Sequence, residues 1–445
     1  MVLKTKTFSG GGVHVPHYKK MTEHRSIETL PLPKKLVLPL QMHCGKPAIP
    51  MVQAGDEVTV GQIIARADGI MSAYIHAPVS GTVAKIDTTD TATARMVPCI
   101  VLETAEEGKT DCSASSALPW ETMEPAEIIA ALSEAGIVGK GGAMFPTHVK
   151  LNPPPDKPID TLIINGVECE PYLTCDHRTM LEQTEEMITG ITIAARILNC
   201  TNIYIGIEDN KQDAIEKIAA LVQDDALITV VPLKVKYPQG AEKQLIQAIT
   251  GREVPSGGLP MNIGVVVINV GTAVSIYDAV IRQRPFIDRI VTVSGSCIKK
   301  PGNYSIRIGM TISELVEQLG GFTAPPAAVI MGGPMMGVAV PHLDIPIVKG
   351  SSGILFLSKK ELPSLPSSKW ASCIHCARCV FTCPSGLNPS EMSILAESQQ
   401  WTAMKTDANL LDCIACGACS TVCPCNRPLV QWFNQAKIMV RQEWV

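Results

Sequence analysis

Eight cysteines near the C-terminus stand in two matching runs. The first is Cys373, Cys376, Cys379 and Cys383, followed by Pro384; the second is Cys413, Cys416, Cys419 and Cys423, followed by Pro424. Both read C-x₂-C-x₂-C-x₃-C-P, a spacing in which three thiolates wrap one face of an iron–sulfur cubane and the fourth reaches the neighbouring one. This assigns Cys373, Cys376, Cys379 and Cys423 to one [4Fe–4S] cluster and Cys413, Cys416, Cys419 and Cys383 to a second. Zinc is the competing metal, but its sites commonly join two separated ligand pairs, which consecutive runs do not form. Cys425 competes with Cys423, and the proline directly after Cys423 favours Cys423. Cys44, Cys99, Cys112, Cys169, Cys175, Cys200 and Cys297 show no ligand spacing and read as buried small hydrophobes. Two clusters built from shared runs lie close together, which suits the passage of single electrons.

The second chemical signal is Gly139–Lys150, GKGGAMFPTHVK. Gly139, Gly141 and Gly142 lack Cβ atoms, so backbone N–H groups there can approach an anion closely. The loop is neither G-x-G-x-x-G nor a P-loop, and a glycine cluster taken alone is more often a turn than a phosphate site.

The loop is similar to the flavin loop, G-R-G-G-A-G-F-P-T-G, of the NADH-binding subunit of respiratory complex I. Three further segments match that family in order: Asn165–Pro171 (NGVECEP), Tyr237–Leu245 (YPQGAEKQL) and Ile268–Val274 (INVGTAV). The resemblance implies FMN, with Gly139, Gly141, Gly142 and Lys150 on its phosphate and ribityl chain. Asn165, Asn269 and Thr272 would line the same pocket, and Glu168, Glu170, Gly240 and Glu242 would surround the isoalloxazine and NAD(H). Lys140 stands where that family has Arg, Met144 where it has Gly, Ala241 for the first Glu of a Glu-Glu pair and Lys243 for Thr. Without the resemblance, Glu168 and Glu170 read as solvated or helix-capping carboxylates.

These groups need a scaffold, and the chain is long enough for several domains. At roughly 100–200 residues per domain, 445 residues make three or four. Residues 1–35 read as an irregular N-terminal segment. Residues 36–105 read as short strands separated by turn chemistry at Gly55 and at Ser80-Gly81. This stretch resembles the barrel-sandwich fold of biotinyl and lipoyl domains. It lacks their carrier lysine, because Asp68–Ile75 reads DGIMSAYI. Residues 106–123 read as a linker. Residues 124–285 alternate strands and helices, the signature of an α/β layer on a mainly parallel sheet. Residues 288–345 resemble the soluble-ligand-binding β-grasp domain, residues 359–370 form a Pro/Ser-rich linker, and residues 371–445 form a two-cluster ferredoxin-like domain. The fold class expected is therefore multidomain α/β. His14 and His17 form an H-x-x-H in a loop, and Gly332-Gly333-Pro334 reads as a turn beside core methionines.

A net charge of −4 with no long basic run argues against nucleic acid as a partner. The longest apolar stretch, Ile263 to Ile281, is interrupted by Asn269 and Asp278, so no membrane span is expected. No signal-peptide core precedes the chain's first domain, and free thiolate ligands fit a reducing, cytoplasmic setting.

The whole order of modules resembles the C subunit of the Rnf complexes, the ion-translocating ferredoxin:NAD⁺ oxidoreductases, in the short form without an Ala/Lys-rich tail. That resemblance implies a peripheral subunit on the cytoplasmic face of the cell membrane. It would exchange hydride between NAD(H) and FMN and relay electrons through two [4Fe–4S] clusters to other subunits of the complex, among them a ferredoxin-linked iron–sulfur subunit. Two alternatives stand beside it: a cobalamin reductase of bacterial microcompartments, whose flavin loop lies nearer the N-terminus, and a non-catalytic iron–sulfur relay without flavin.

Overall fold

The structure, a computed structural model, describes residues 4–106, 111–114, 116–362 and 370–442. Residues 363–369 of the expected linker lie outside those described.

Four layers follow one another along the chain. Strands Lys35–Pro39, Val97–Thr104, Gly81–Thr89 and Glu57–Val58 form one antiparallel sheet. Ile49–Pro50, Ile63–Arg66 and Ile75–His76 form a smaller one facing it. Alternation buries Leu36, Leu38, Val83, Ile100 and Leu102 between them, as expected of a barrel-sandwich.

The central layer is a four-stranded parallel sheet in the order Ile228–Leu233, Asn202–Glu208, Thr161–Gly166 and Val265–Asn269. Its strands are near-continuous apolar runs, because helices cover both faces. Helix Thr184–Leu198 buries Met187, Ile191, Ala194 and Leu198 and packs along helix Val270–Val280. The stretch read as a linker at 106–123 is tied back onto this layer, Ala114 N–H to Arg282 O at 2.8 Å and Leu118 N–H to Val280 O at 3.0 Å.

The β-grasp sheet reaches beyond residues 288–345. It has six strands, Ile27–Thr29, Gly302–Arg307, Asp288–Ser294, Gly353–Leu357, Ala328–Met331 and Val338–Ala339 in that order. Ile27–Thr29 comes from the N-terminal segment and pairs parallel with Gly302–Arg307. Three residues on a sheet edge are too few to show a period-2 pattern. The C-terminal layer is helical, with Pro389–Glu397 packed on Leu429–Gln442 over a core of Met392, Met404, Leu410 and Phe433.

No helix among the described residues is long and apolar enough to cross a membrane.

Candidate functional site

Two recesses open in the C-terminal layer. One is lined by Cys373, Cys376, Cys379 and Cys423, the other by Cys383, Cys413, Cys416 and Cys419. The fold brings the fourth cysteine of each run to the recess of the other run. The helices Arg378–Thr382 and Ala418–Thr421 carry the third cysteine of each run and pack against each other. Each starts after a left-handed residue, Ala377 (φ 58°) or Gly417 (φ 84°), which turns the loop of the first two cysteines back over the recess. All sixteen cysteines are free thiols. Burial pushes the thiols of Cys379, Cys383 and Cys419 up, and that of Cys416 to about 11. Four soft sulfur donors around an otherwise largely apolar recess fit an iron–sulfur cluster, whose charge would deprotonate them. Cys425 also lines the first recess.

The second recess lies against the parallel-sheet layer. Tyr237 Oη donates to Cys416 O at 2.7 Å, Gln244 Nε2 to Pro384 O at 3.2 Å, and Gly12 N–H to Thr382 O at 2.8 Å. It is termed the inner recess below. The outer recess, that of Cys373, keeps Cys376 exposed.

The glycine loop sits at the C-terminal edge of the parallel sheet. Lys140 N–H donates to Thr272 Oγ1 at 2.9 Å, and Arg289 donates to Lys140 O at 2.8 Å, so the loop is pinned on both sides. Asn269 caps helix Val270–Val280 by accepting from Gly271 N–H at 2.8 Å. Gly139 accompanies the turn, its N–H bonded to Phe145 O at 2.9 Å. Gly141 packs against Asn269, while Gly142 adopts φ +114° and faces open space. Neither the Gly141 nor the Gly142 N–H bonds to the described main chain. Lys150 reaches the same side and pairs with Glu242 at 2.7 Å. Burial and the neighbouring Arg289 bring Lys140 down to about 8. Open amides, a helix N-terminus and two lysines make a donor set that suits a phosphate and a chain of hydroxyls. The residues present therefore fit FMN.

Asn165 ties the layers of this pocket together. Its Nδ2 donates to Gly240 O at 2.9 Å and its Oδ1 accepts from Val167 N–H at 3.0 Å. Gly240 passes so close to the Val167 carbonyl that an added Cβ would lie 2.6 Å from it. Glu168 and Glu170 are held by the protein's own main chain. Glu168 accepts from Asp176 N–H at 2.8 Å and His177 N–H at 3.4 Å, satisfying the start of helix Cys175–Glu182. Glu170 accepts from Met335 N–H at 3.0 Å and Met336 N–H at 2.9 Å, and lies 3.4 Å from Tyr237 Oη. Burial raises Glu170 despite these donors.

Several residues here carry no local sequence signal. Lys19, from the N-terminal segment, is buried and donates to the carbonyls of Glu168 (2.8 Å), Glu170 (3.0 Å) and Leu173. Asp176 accepts from Asn269 Nδ2 at 2.7 Å; burial and the adjacent Glu168 lift it to about 6. The Gly332–Gly337 loop is a turn, as expected, with Gly337 N–H bonded to Gly333 O at 2.8 Å, but its methionines are not all core: Met331 is buried and Met336 is 53% exposed. Among the non-ligand cysteines, Cys44 is exposed and Cys112 and Cys169 are half-buried, contrary to the expectation of burial. Cys44 N–H is drawn to the surface of the flavin loop, where it donates to Met144 O at 3.0 Å. His14 and His17 are both exposed.

Comparison with known proteins gives a consistent picture. Residues 132–278 match the Nuo51 FMN-binding domain, 6–107 the RnfC barrel sandwich hybrid domain, 290–339 the SLBB domain and 366–424 the 4Fe-4S dicluster domain. The chain is 46% identical over 429 residues to the C subunit of the proton-translocating ferredoxin:NAD(+) oxidoreductase complex of Clostridium ljungdahlii, covering 96% of this chain and 93% of that one. It is 42% identical over 412 residues to the Na(+)-translocating counterpart of Acetobacterium woodii, covering 93% and 92%. Among solved structures, an NAD+-reducing [NiFe]-hydrogenase shares the fold with a TM-score of 0.50 at 18% identity, covering 71% of this chain and 63% of that one.

Proposed function

Since the chain belongs to the RnfC family and is an electron-transfer subunit of an ion-translocating ferredoxin:NAD(+) oxidoreductase complex, we propose that its glycine-loop pocket and two thiol recesses form one path in the order pocket, inner recess, outer recess. Family membership removes the cobalamin reductase alternative. We assign FMN to Gly139, Gly141, Gly142, Lys150, Asn165, Asn269 and Thr272, and NAD(H) to the side bounded by Glu168, Glu170, Gly240 and Glu242. Cys373, Cys376, Cys379 and Cys423 ligate the outer [4Fe–4S] cluster, and Cys413, Cys416, Cys419 and Cys383 the inner one. When bound, FMN interconverts the electron pair of a hydride and single electrons, which the clusters carry.

The observation that carries this reading is the segment Tyr237–Gln244. Gly240 O holds Asn165 and Glu242 holds Lys150 on the flavin side, while Tyr237 and Gln244 bond to Cys416 O and Pro384 O on the cluster side. One short stretch thus spans both sites, and Tyr237 within it is buried at 2% exposure. Lys140 and Lys150 provide positive charge for a phosphate, and the Glu170 clamp holds the Gly332–Gly337 loop over the junction. The outer recess, with Cys376 exposed, faces the other subunits of the complex. We place the chain on the cytoplasmic face of the membrane, where NAD(H) is available.

Rapid mixing of the anaerobic holoprotein with NADH tests the order. A Cys416→Ser variant keeps flavin bleaching by NADH and loses reduction of the outer cluster. Outer-cluster reduction at the unmodified rate in that variant contradicts the order. A chain that binds both clusters and no flavin would be the bare relay.

A further inference from the structure

The two recesses differ in the side chains that surround the sulfurs. Apart from its cysteines, the inner recess presents mainly Leu387, Met392, Ile414, Val430 and Phe433, with Ser385 its one hydroxyl and no charged group. Lys437 is half-buried and bonded to the Cys413 carbonyl, and it is not part of the recess wall. The outer recess is lined by Ser390, Ser393 and Arg427 as well as by apolar groups.

Arg427 is 3% exposed. One end of its guanidinium lies 2.7 Å from Glu397 and 3.3 Å from Ser393 Oγ, and its plane sits 4.9 Å from the Trp432 ring. Its Nε is buried and has no hydrogen-bond partner among the described residues. Leaving a buried donor unpaired costs about 1–3 kcal/mol, more for a charged group, so such a donor in a recess wall points to an acceptor that is not protein. Ser390 Oγ is 3.3 Å from Cys373 Sγ. Each recess also receives main-chain donors: His375 N–H to Cys373 Sγ outside, and Leu387 N–H to Cys383 Sγ and Ala415 N–H to Cys413 Sγ inside, all at 3.4 Å. One such donor outside against two inside favours the inner site; Arg427, Ser390 and the exposure of Cys376 act in the opposite sense at the outer one.

Reduction adds one negative charge to a cluster. A buried positive charge, here partly offset by its more exposed partner Glu397, donors aimed at sulfur and access to water all stabilise that charge, and an apolar, buried wall does not. Resting on the cluster assignment above, we infer that Arg427, assisted by Ser390, is a tuning residue that holds the outer cluster at a higher reduction potential than the inner one. Transfer between them oxidises the inner site by one electron and reduces the outer by one, with no proton or ligand exchanged, and the electron settles at the outer end.

An EPR-monitored redox titration of the full-length holoprotein tests this. The unmodified chain shows two separate midpoints. Arg427→Met lowers the higher midpoint and leaves the lower in place. A tenfold change in electron sharing corresponds to about 59 mV for a one-electron couple. Arg427→Lys, which keeps the charge without the fork, falls between. Movement of the lower midpoint, equal movement of both, or movement of neither overturns the inference. If Arg427→Met does not retain its clusters, Ser390→Ala gives the same reading: a lowered upper midpoint supports it and an unmoved one overturns it. Iron analysis keeps the two ideas apart. Fewer than about eight irons in the unmodified chain contradicts the cluster assignment itself, whereas about eight irons with equal midpoints contradicts this inference alone.

Discussion

Cys423 and Cys425 both reach the wall of the outer recess, separated by one proline. We expect Cys425→Ser to retain about eight irons per chain and Cys423→Ser to fall towards four, read by iron and acid-labile sulfide analysis. Lys19 is a second decisive residue. Its ammonium is buried with three carbonyls and Glu168, so Lys19→Met leaves that buried carboxylate without its cation; a loss of about 3–5 kcal/mol in denaturant-induced unfolding is expected. Lys349 offers a pH test. It is buried, donates to Tyr74 O at 2.8 Å and Gly136 O at 2.7 Å, and burial brings it down to about 7. Between about pH 7 and its ordinary value of 10.5 the unfolded chain binds the proton that the folded chain lacks, so this group makes stability rise with pH across that window. The melting temperature of Lys349→Met, measured relative to the unmodified protein, should therefore drop as pH rises from 7 to 10. A difference that is flat with pH would contradict the assignment.

The sequence showed the elements that have a local period and hid those defined by distant partners. The cysteine runs were legible because ligand spacing is itself local. The strand–helix alternation of residues 124–285 was legible from apolar periodicity, as in helix Pro125–Glu134 and strand Thr161–Gly166. Strand Ile27–Thr29 was not, because its partner is Gly302–Arg307. Glu168 and Glu170 could be named from the flavin resemblance, yet their hydrogen bonds to the Asp176 and Met335 regions depend on the tertiary fold. The Tyr237–Gln244 segment is where this matters most. Gly240→Ala would push a methyl group against the Val167 carbonyl and displace the segment from Asn165. FMN retention on a desalting column should fall at least tenfold, with the iron content unchanged; retained flavin would show that this segment does not shape the pocket.

Seen whole, the protein is a set of modules fastened around the glycine-loop pocket and the two thiol recesses. The barrel-sandwich module, without a carrier lysine, docks on the flavin loop through Cys44 N–H to Met144 O at 3.0 Å and His148 Nε2 to Ile70 O at 3.1 Å, and Lys349, beside the β-grasp strands, donates to Tyr74 O. Met144, where the complex I loop has Gly, packs its side chain against Gly350. The β-grasp module reaches the same junction through the loop that Glu170 clamps. The central claim is that flavin and two cubanes share this one chain. The direct measurement is iron, acid-labile sulfide and extractable FMN on anaerobically purified protein. About eight irons, eight sulfides and one FMN per chain are expected; about four irons, or a folded chain that is colourless and flavin-free, would contradict the account.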